Sequence, residues 1–579
     1  MNIREIINLI PFKYRRKGIA VTFSVLLQAL LNFTGLALLI PLLLLILDPQ
    51  SIDSASWAGK FRSGFNITND TVFVIIICAG TGLLIVLKNI LTLQINSFRV
   101  NYVNKLFLHF SGKMYATYFR KGYLFVKQNH TTSFSHKINN ICFVFVQGIV
   151  SRLFIMGGEF LLVLMIGGAL LFYSYTLVLL LALCLIPATW LYYFRIRKKI
   201  SQYGKLENEV WRKQTRLITE TFRGYPEIRI NNAFSVLTSR FKEGLSQIAF
   251  FRERLERIMI IPGGLTECGI ALGMILLVLF NKGDASMKVA FGLFAVAALR
   301  LMPSIRTLIT GWIQLKNNGY AIETICEAFD TEGGELLLPD IIVSVSQVPI
   351  HFKQKIEING LTFRFPDASP DEPPVIQNFS LTINKGERIG IRGASGIGKT
   401  TLFNLLLGLY SPQEGSIRID GIPLEASLYP AWYALTGYVP QDVFIMDGSL
   451  MENIALGKSP EEIDRERINE ILLTVRLNSF VNSLPEGIYT KLGESGCRLS
   501  GGQRQRIGIA RALYKQAEVL FFDEATSSLD SATEKEITEA IRELSDNHRE
   551  LTLVLIAHRE SSLFFCDRVV DLDINLGQG

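Results

Sequence analysis

Six apolar stretches in the first 315 residues constrain this 579-residue chain more than any other feature. Each is long enough to cross a bilayer, because a helix of roughly 20 residues spans a hydrocarbon core about 30 Å thick. We therefore predict an α-helical membrane region of six transmembrane helices. The predicted spans lie near residues 18–47, 71–97, 143–172, 174–194, 258–280 and 287–313.

Composition separates this apolar half from a second, soluble half. Hydrophobic residues make up 49% of the chain and its mean hydropathy is +0.29, which is high for a soluble enzyme. A Gly-Gly pair at residues 333–334 opens a linker, and a β-rich pattern starts near residue 345. We predict a transmembrane domain over residues 1–330, a linker over 331–344 and an α/β domain over 345–579.

The net charge of +7 is placed beside the apolar spans. The chain has no compact Lys/Arg tract interleaved with aromatic residues, which argues against a nucleic-acid partner. The connections after the second and fourth spans carry much of the positive charge, including Lys105, Lys113, Arg195 and Arg197. By the positive-inside rule, we expect both connections and both chain termini to lie in the cytoplasm.

These two long connections have helical periodicity and few proline or glycine breaks. We therefore expect the spanning helices to continue into the cytoplasm and to turn back at two tips, residues 127–139 and 222–231. Solvated linkers between helices are the alternative. The first apolar run is too long for the core of a cleavable signal peptide, so the N-terminus is expected to stay in place.

A glycine-rich run in the second half fits the phosphate-binding pattern G-x-x-x-x-G-K-[ST]. It follows a short apolar strand and precedes an apolar helix, which is the context that such a loop needs. Its backbone N–H groups would face phosphates, its lysine would neutralise their charge and its hydroxyl would ligate Mg²⁺. The candidate nucleotide-binding residues are Gly393, Ala394, Ser395, Gly396, Ile397, Gly398, Lys399, Thr400 and Thr401.

A buried-strand pattern over residues 519–522 ends in two acids, Asp523 and Glu524. A carboxylate at the end of such a strand can face the Mg²⁺ held by Thr400, so Asp523 is the candidate metal-side acid. Glu524 then faces the γ-phosphate as the candidate general base for the attacking water. An Asp-Glu pair on a surface helix would not follow four apolar residues.

A third run, Leu499-Ser500-Gly501-Gly502-Gln503, accompanies the phosphate loop, and the pair resembles the nucleotide-binding domain of ABC ATPases. The Asp523-Glu524 pair resembles the Walker B motif of that family. Ser528, Leu529 and Asp530 resemble its D-loop. Family members usually continue past the Leu-Asp pair that matches Leu572-Asp573, whereas this chain ends at Gly579, which leaves C-terminal regulation unassigned.

The same resemblance implies roles for three further residues. Phe365 stands where the family stacks an aromatic ring on adenine. Gln441 would contact the metal and the water, and His558 would contact the γ-phosphate and hold Glu524 in register. The implied Mg²⁺ contacts are Thr400, Gln441 and Asp523.

Six spans followed by one such domain resemble half-transporters of the ABC exporter class over nearly the whole chain. In that family the signature of one chain, here Leu499 to Gln503, caps the ATP that the phosphate loop of a second chain holds. The resemblance thus implies a dimer, ATP and Mg²⁺ as cofactors, and a bacterial cytoplasmic (inner) membrane as location. Because the motifs are intact, a homodimer would have two competent sites, and a heterodimer is the alternative.

Charged residues inside the spans are the guide to the cargo, because a charge at the bilayer centre costs about 2.5–3.5 kcal/mol. Arg300 and Arg306 flank Pro303 in the sixth span, and arginine binds phosphate by paired hydrogen bonds. Residues 300–304 are also similar to the sixth span of bacterial flippases for lipid-linked oligosaccharides. We predict an ATP-hydrolysing exporter or flippase of an amphipathic substrate, with a lipid-linked oligosaccharide or another anionic lipid as the hypothesis.

Two other functions fit parts of this pattern. A multidrug or peptide exporter would have the same architecture. An ATP-gated channel or regulator would keep the spans but often has degraded catalytic residues, against which the intact Glu524 and His558 argue.

Overall fold

The computed structural model describes residues 3–38, 70–173, 175–280, 286–329, 351–369, 371–493, 496–524, 531–557, 559 and 562–573. The chain forms two compact units, Met1–Glu335 and Leu336–Gly579. The predicted linker, residues 331–344, lies outside the described residues. The two units are therefore taken one at a time.

The N-terminal unit is helical throughout its described residues. Two consecutive π-helical segments, His136–Ile141 and Val144–Val150, interrupt the α-helical pattern. The α-helices are α1 Ile3–Leu9, α2 Phe12–Ala37, α3 Asp70–Arg120, α4 Gly122–Gln128, α5 Thr131–Ser135, α6 Ser151–Tyr173, α7 Tyr175–Arg223, α8 Tyr225–Ile230, α9 Phe234–Phe280, α10 Ser286–Asn317 and α11 Tyr320–Phe329.

Four helical stretches among the described residues are long and apolar enough to cross a membrane. They are Phe12–Ala37, Thr71–Arg120, Thr131–Phe172 and Phe234–Leu276, and they contain most of the predicted spans 18–47, 71–97, 143–172 and 258–280. The predicted spans 174–194 and 287–313 fall on α7 and α10, except that residue 174 is outside the described part of the chain. Residues 39–47 of the first predicted span also lie outside it.

The longest helices extend well beyond what a bilayer requires. Helices α3, α7 and α9 have 51, 49 and 47 residues. At 1.5 Å per residue each is roughly 70–77 Å long, more than twice the hydrocarbon thickness. These helices are thus long enough to extend beyond the bilayer, and the predicted tip at 222–231 contains the short helix α8.

Apolar side chains join α2, α3 and α6 into the core of this unit. Val21 and Val25 of α2 are buried with Val103 and Leu106 of α3. A Cβ atom at Gly158 of α6 would lie 2.8 Å from a methyl carbon of Val25, so the glycine allows close approach of the two helices.

The C-terminal unit contains two sheets. An antiparallel sheet has the strand order β2-β1-β4-β5, and a parallel sheet has the order β6-β7-β8-β3-β9. The strands are β1 Lys355–Phe363, β2 Ile376–Asn384, β3 Arg388–Arg392, β4 Glu414–Ile419, β5 Ile422–Pro423, β6 Thr436–Val439, β7 Val519–Asp523, β8 Thr552–Ile556 and β9 Arg568–Asp571. The α-helices are α12 Lys399–Leu406, α13 Tyr429–Leu435, α14 Leu450–Ile454, α15 Arg465–Thr474, α16 Asn478–Ser483, α17 Gly501–Tyr514 and α18 Ser531–Asn547.

The parallel sheet sets the position of the candidate site. Every residue of β7 and β8 is buried, as expected for parallel strands covered on both faces. The carboxyl ends of parallel strands meet at one edge of a sheet, where ligands of such folds bind. The segments that follow β3, β6, β7 and β8 therefore converge at that edge.

Candidate nucleotide-binding site

The phosphate loop joins β3 to α12 and depends on glycine at two positions. Gly396 and Gly398 have φ angles of 84° and 106°, which lie in the left-handed region. A Cβ atom at Gly398 would also lie 2.9 Å from Val375 Cγ1 and 3.1 Å from the Val375 carbonyl oxygen. The loop can thus turn sharply into the N-terminus of α12, where backbone N–H groups are available to an anion.

The Lys399 ammonium lies inside this loop. Its side chain is buried, and Nζ donates hydrogen bonds to the carbonyl oxygens of Gly393 at 2.9 Å and Ala394 at 3.0 Å. The same nitrogen is 4.0 Å from Glu524 Oε1. A positive charge is therefore held at the place where the motif requires phosphate neutralisation.

The end of β9 braces the first half of the loop. Asp573 Oδ2 accepts a hydrogen bond from the Ala394 backbone N–H at 2.9 Å, and Arg392 Nε donates to Asp571 Oδ2 at 2.9 Å. Sequence reasoning did not single out Asp573 for this role. The available signal was the match of the Leu572-Asp573 pair to the family, at the two positions after the end of β9.

Thr400 and Asp523 meet although 123 residues separate them in the sequence. Thr400 Oγ1 donates to Asp523 Oδ1 at 3.2 Å, and the Tyr438 hydroxyl donates to Asp523 Oδ2 at 3.3 Å. Burial raises the pKa of Asp523, the hydrogen bond from Thr400 opposes that rise, and the neighbouring charge of Glu524 adds to it. A hydroxyl beside a buried carboxylate is a set of hard oxygen donors of the kind that Mg²⁺ prefers.

Glu524 directly follows β7 in an unusual backbone conformation. Its φ angle is 48°, in the left-handed region, and its backbone N–H donates to the Ile556 carbonyl oxygen at 3.0 Å. Non-glycine residues rarely adopt this conformation outside tight or functional segments. The sheet edge thus holds Glu524 near Lys399 at a cost in backbone strain.

Phe365 belongs to an aromatic group at the end of β1. Its ring centroid is 5.2 Å from that of Phe363 and 5.9 Å from that of Tyr410, both in edge-to-face geometry. Phe365 is half-buried, whereas Phe363 is buried. The predicted adenine-stacking residue is therefore packed edge-to-face against two neighbouring rings.

The signature run forms the start of α17. Ser500 is the N-cap residue, since its hydroxyl accepts from the Gln503 backbone N–H at 3.2 Å. Gln503 Oε1 in turn accepts from the Ser500 backbone N–H at 2.9 Å, which completes a capping box. Gly501 and Gly502 form the first turn of the helix, and Leu499 is buried just before it.

The structure says less about three predicted elements of the site, which are Gln441, His558 and the D-loop. Gln441 lies directly after β6, and its carbonyl oxygen accepts a hydrogen bond from Gln505 of α17. His558 and the D-loop residues Ser528, Leu529 and Asp530 lie outside the described residues. Arg559, the residue after His558, pairs with Glu534 of α18.

The two candidate substrate arginines both lie on α10, but on different sides of the helix. Six positions on a helix correspond to about 120° around its axis. Arg300 is half-buried, whereas Arg306 is exposed and lies 3.6 Å from the Cβ position of Gly263 on α9. Between them, Ser304 Oγ donates to Glu159 Oε2 of α6 at 2.6 Å.

Comparison with known proteins identifies the family. A family model described as "ABC transporter" matches residues 376–527. The ATP-dependent lipid A-core flippase of Burkholderia orbicola (strain AU 1054) is 30% identical over 425 residues, covering 71% of this chain and 68% of that protein. The chain belongs to the ABC transporter family. A second lipid A-core flippase, from Alkalilimnicola ehrlichii (strain ATCC BAA-1101 / DSM 17681 / MLHE-1), is 38% identical over 281 residues, covering 48% of this chain and 45% of that protein.

A solved structure extends the likeness to the whole architecture of this ABC transporter. The structure of a bacterial Atm1-family ABC exporter with ATP bound has a TM-score of 0.77 and 20% sequence identity, and covers 97% of this chain and 94% of its own. The chain is thus a half-transporter of the exporter class, with membrane helices and ATPase domain fused. It is an integral membrane protein that couples ATP hydrolysis to transport.

Proposed function

We propose that this ABC transporter is a homodimeric flippase that uses Mg²⁺ and ATP to move an anionic, lipid-linked substrate from the cytoplasmic side of a bacterial inner membrane. The contact between Thr400 and Asp523 carries the ATPase part of the proposal, because it unites the loop and the acid that hydrolysis requires. The Burkholderia relative, which is named a lipid A-core flippase, supports the substrate class.

At the edge of the parallel sheet, each candidate side chain has a separate role in hydrolysis. Lys399 binds the terminal phosphates, and Thr400 and Asp523 would hold Mg²⁺ with help from Gln441. The ion would neutralise charge on the transferred phosphoryl group. Glu524 accepts the proton of the attacking water, and His558 keeps that water and Glu524 in register.

A complete site requires a second chain. Leu499 to Gln503 would cap the ATP of the partner chain, and the partner's signature run would do the same here. A homodimer of this chain would thus have two equal sites. Both termini and the two helical tips, residues 127–139 and 222–231, would lie on the cytoplasmic side.

The cargo part of the proposal depends on Arg300 and Arg306. In reconstituted membranes, a lipid-linked glycan bearing a pyrophosphate should stimulate the ATPase of the wild-type protein. Replacing both arginines by alanine should abolish that stimulation, because a guanidinium binds phosphate through paired hydrogen bonds. Arg240→Ala, at an exposed position on the cytoplasmic part of α9, is the matched control and should leave the stimulation unchanged.

Unchanged stimulation in the double variant would reject an anionic cargo at these arginines. Mass spectrometry of molecules that co-purify with a Glu524→Gln variant provides a second test. A phosphate-bearing lipid is the expected result. Neutral drugs or peptides in its place would favour the multidrug or peptide exporter.

A further inference from the structure

Helix α17 holds the loop that contains Gln441 at three points. We call residues 439–443 the glutamine loop. A Cβ atom at Gly508 would lie 2.9 Å from Val443 Cγ2 and 3.2 Å from Val439 Cγ1, so α17 touches both ends of the loop. Between them, Gln505 Nε2 donates to the Gln441 carbonyl oxygen at 2.5 Å and lies 3.4 Å from the Pro440 carbonyl oxygen.

Gln505 is unfavourable for the stability of the fold at this position. Its side chain is 2% exposed, and its Oε1 atom is buried without a hydrogen-bond partner among the described residues. A buried polar atom without a hydrogen bond destabilises the folded state, and a leucine of similar size would avoid that loss. The surrounding residues, such as Val439 and Ile507, belong to an apolar core. Stability alone therefore does not favour glutamine here.

The same helix begins at the signature. Ser500 is the N-cap of α17, and Gln505 follows five positions later, about 7.5 Å along the axis. The capping box fixes Ser500 to the first turn. A displacement of Ser500 is thus transmitted along a short, rigid helix to the Gln505 amide, and from there to the Gln441 backbone.

We propose that Gln505 is a positioning residue that makes the signature and the glutamine loop move as one body. The proposal rests on the proposed function, in which the signature binds the ATP of the partner chain. When Ser500 engages that ATP, the hydrogen bond from Gln505 sets Gln441 at the ATP of its own chain. Each nucleotide site thereby responds to the occupancy of the other.

The test compares full-length Gln505→Leu with Thr552→Val. Thr552 is buried at the opposite end of β8, and its hydroxyl accepts a hydrogen bond from the Gly386 N–H at 2.9 Å. Each variant removes the hydrogen bonding of one buried side chain in the C-terminal unit, but only Gln505→Leu releases the glutamine loop. We expect Gln505→Leu to lower kcat about tenfold and to leave KM for ATP within about twofold, because the phosphate loop is untouched.

Amide hydrogen exchange locates the effect. Exchange within residues 441–443 should become about tenfold faster in Gln505→Leu and stay unchanged in Thr552→Val. Gln505→Glu is the second variant, for use if Gln505→Leu does not fold. It keeps the size of the side chain but replaces the Nε2 donor with an oxygen. It should show the same loss of kcat at unchanged KM.

Two results would overturn the positioning role. One is a loss of kcat and a gain in loop exchange no larger than those of Thr552→Val. The other is a rise in KM that matches the fall in kcat, which would make Gln505 part of the general scaffold of the site. The role of Glu524 as the general base is tested separately by Glu524→Gln, and its failure would leave the comparison of Gln505→Leu with Thr552→Val unchanged.

Discussion

The nucleotide site and the candidate cargo site differ in how closely the fold unites their residues. Thr400 and Asp523 are 123 positions apart and meet at 3.2 Å, while Lys399 lies 4.0 Å from Glu524. Arg300 and Arg306 are six positions apart and occupy different sides of α10, one half-buried and one exposed. Proximity in sequence is thus a poor guide to a site, whereas position at the end of a parallel strand is a good one.

The two sites differ because the fold constrains the direction of a side chain at a strand end more than that of a side chain on a transmembrane helix. A buried strand fixes the direction in which its last side chain points, and five strands end at the same sheet edge. A transmembrane helix gives only a direction around its axis, and the neighbour on that side depends on packing in a partner chain as well. The predictions below test this difference, starting with the largest expected effect.

Glu524→Gln should have the largest effect on turnover. The amide keeps the size and the position beside Lys399 but cannot accept the proton of the attacking water, so kcat should fall about 10²- to 10⁴-fold. Phosphate-release assays measure this. Glu518→Gln, just before the other end of β7, is the control and should stay within about twofold. Hydrolysis within about tenfold of wild type in Glu524→Gln would mean that Glu524 is not the base.

Asp523→Asn should separate stability from activity. Because burial raises the pKa of Asp523, folding favours its protonated form, and the nucleotide-free protein loses stability as the pH rises through that raised value. An asparagine carries no such penalty. The Tm advantage of Asp523→Asn without nucleotide should therefore grow as the pH rises above the ordinary aspartate value near 4, and level off above the raised pKa of Asp523.

The same variant should lose about a hundredfold or more in ATPase activity, since a neutral amide is a poor ligand for Mg²⁺. Differential scanning fluorimetry across the pH series measures the first effect and phosphate release the second. A Tm difference that shrinks as the pH rises would contradict the direction of the pKa shift.

The sequence indicated which residues carry the chemistry of the nucleotide site, but not which residues hold them in place. Thr400 and Asp523 were paired from strand-end positions, and the structure brings them together. Tyr438, Asp573 and Gln505 were not predicted, because their contacts depend on the spatial strand order β6-β7-β8-β3-β9 and on how α17 lies against it. That order does not follow the chain, and side-chain patterns do not encode it.

The helical unit shows the same limit. Apolar length predicted the helices, and their extensions followed from charge and periodicity. The contact between Ser304 and Glu159 did not follow, because helical periodicity gives the side on which a residue lies but not the neighbouring helix that faces it.

Arg300→Ala and Arg306→Ala should differ in their effect on stimulation by the cargo. Arg300 is half-buried and can bind an anion with fewer surrounding waters, so its loss should reduce the stimulation more, by about tenfold against about threefold for Arg306. Lysine at either position is the conservative control, which keeps the charge but loses the paired hydrogen bonds. A larger effect at Arg306 would place the cargo on the side of α10 that faces α9.

The smallest expected effect concerns the hydrogen bond from Ser304 of α10 to Glu159 of α6. A double-mutant cycle of Ser304→Ala and Glu159→Ala should give a coupling free energy of about 0.6–1.7 kcal/mol, the range for hydrogen bonds between membrane helices. Reversible unfolding in detergent measures it. Thr310→Ala is the matched partner, because in the described part of the chain the Thr310 hydroxyl bonds to carbonyls of its own helix, those of Arg306 and Thr307.

The cycle of Thr310→Ala with Glu159→Ala should give no coupling beyond about 0.5 kcal/mol, as for independent sites. Equal coupling in both cycles would mean that Glu159 acts through general packing of α6. Coupling confined to Ser304 would give the helical unit one contact as specific as that between Thr400 and Asp523. It would also fix the rotation of α10, and hence the side on which Arg300 meets its ligand.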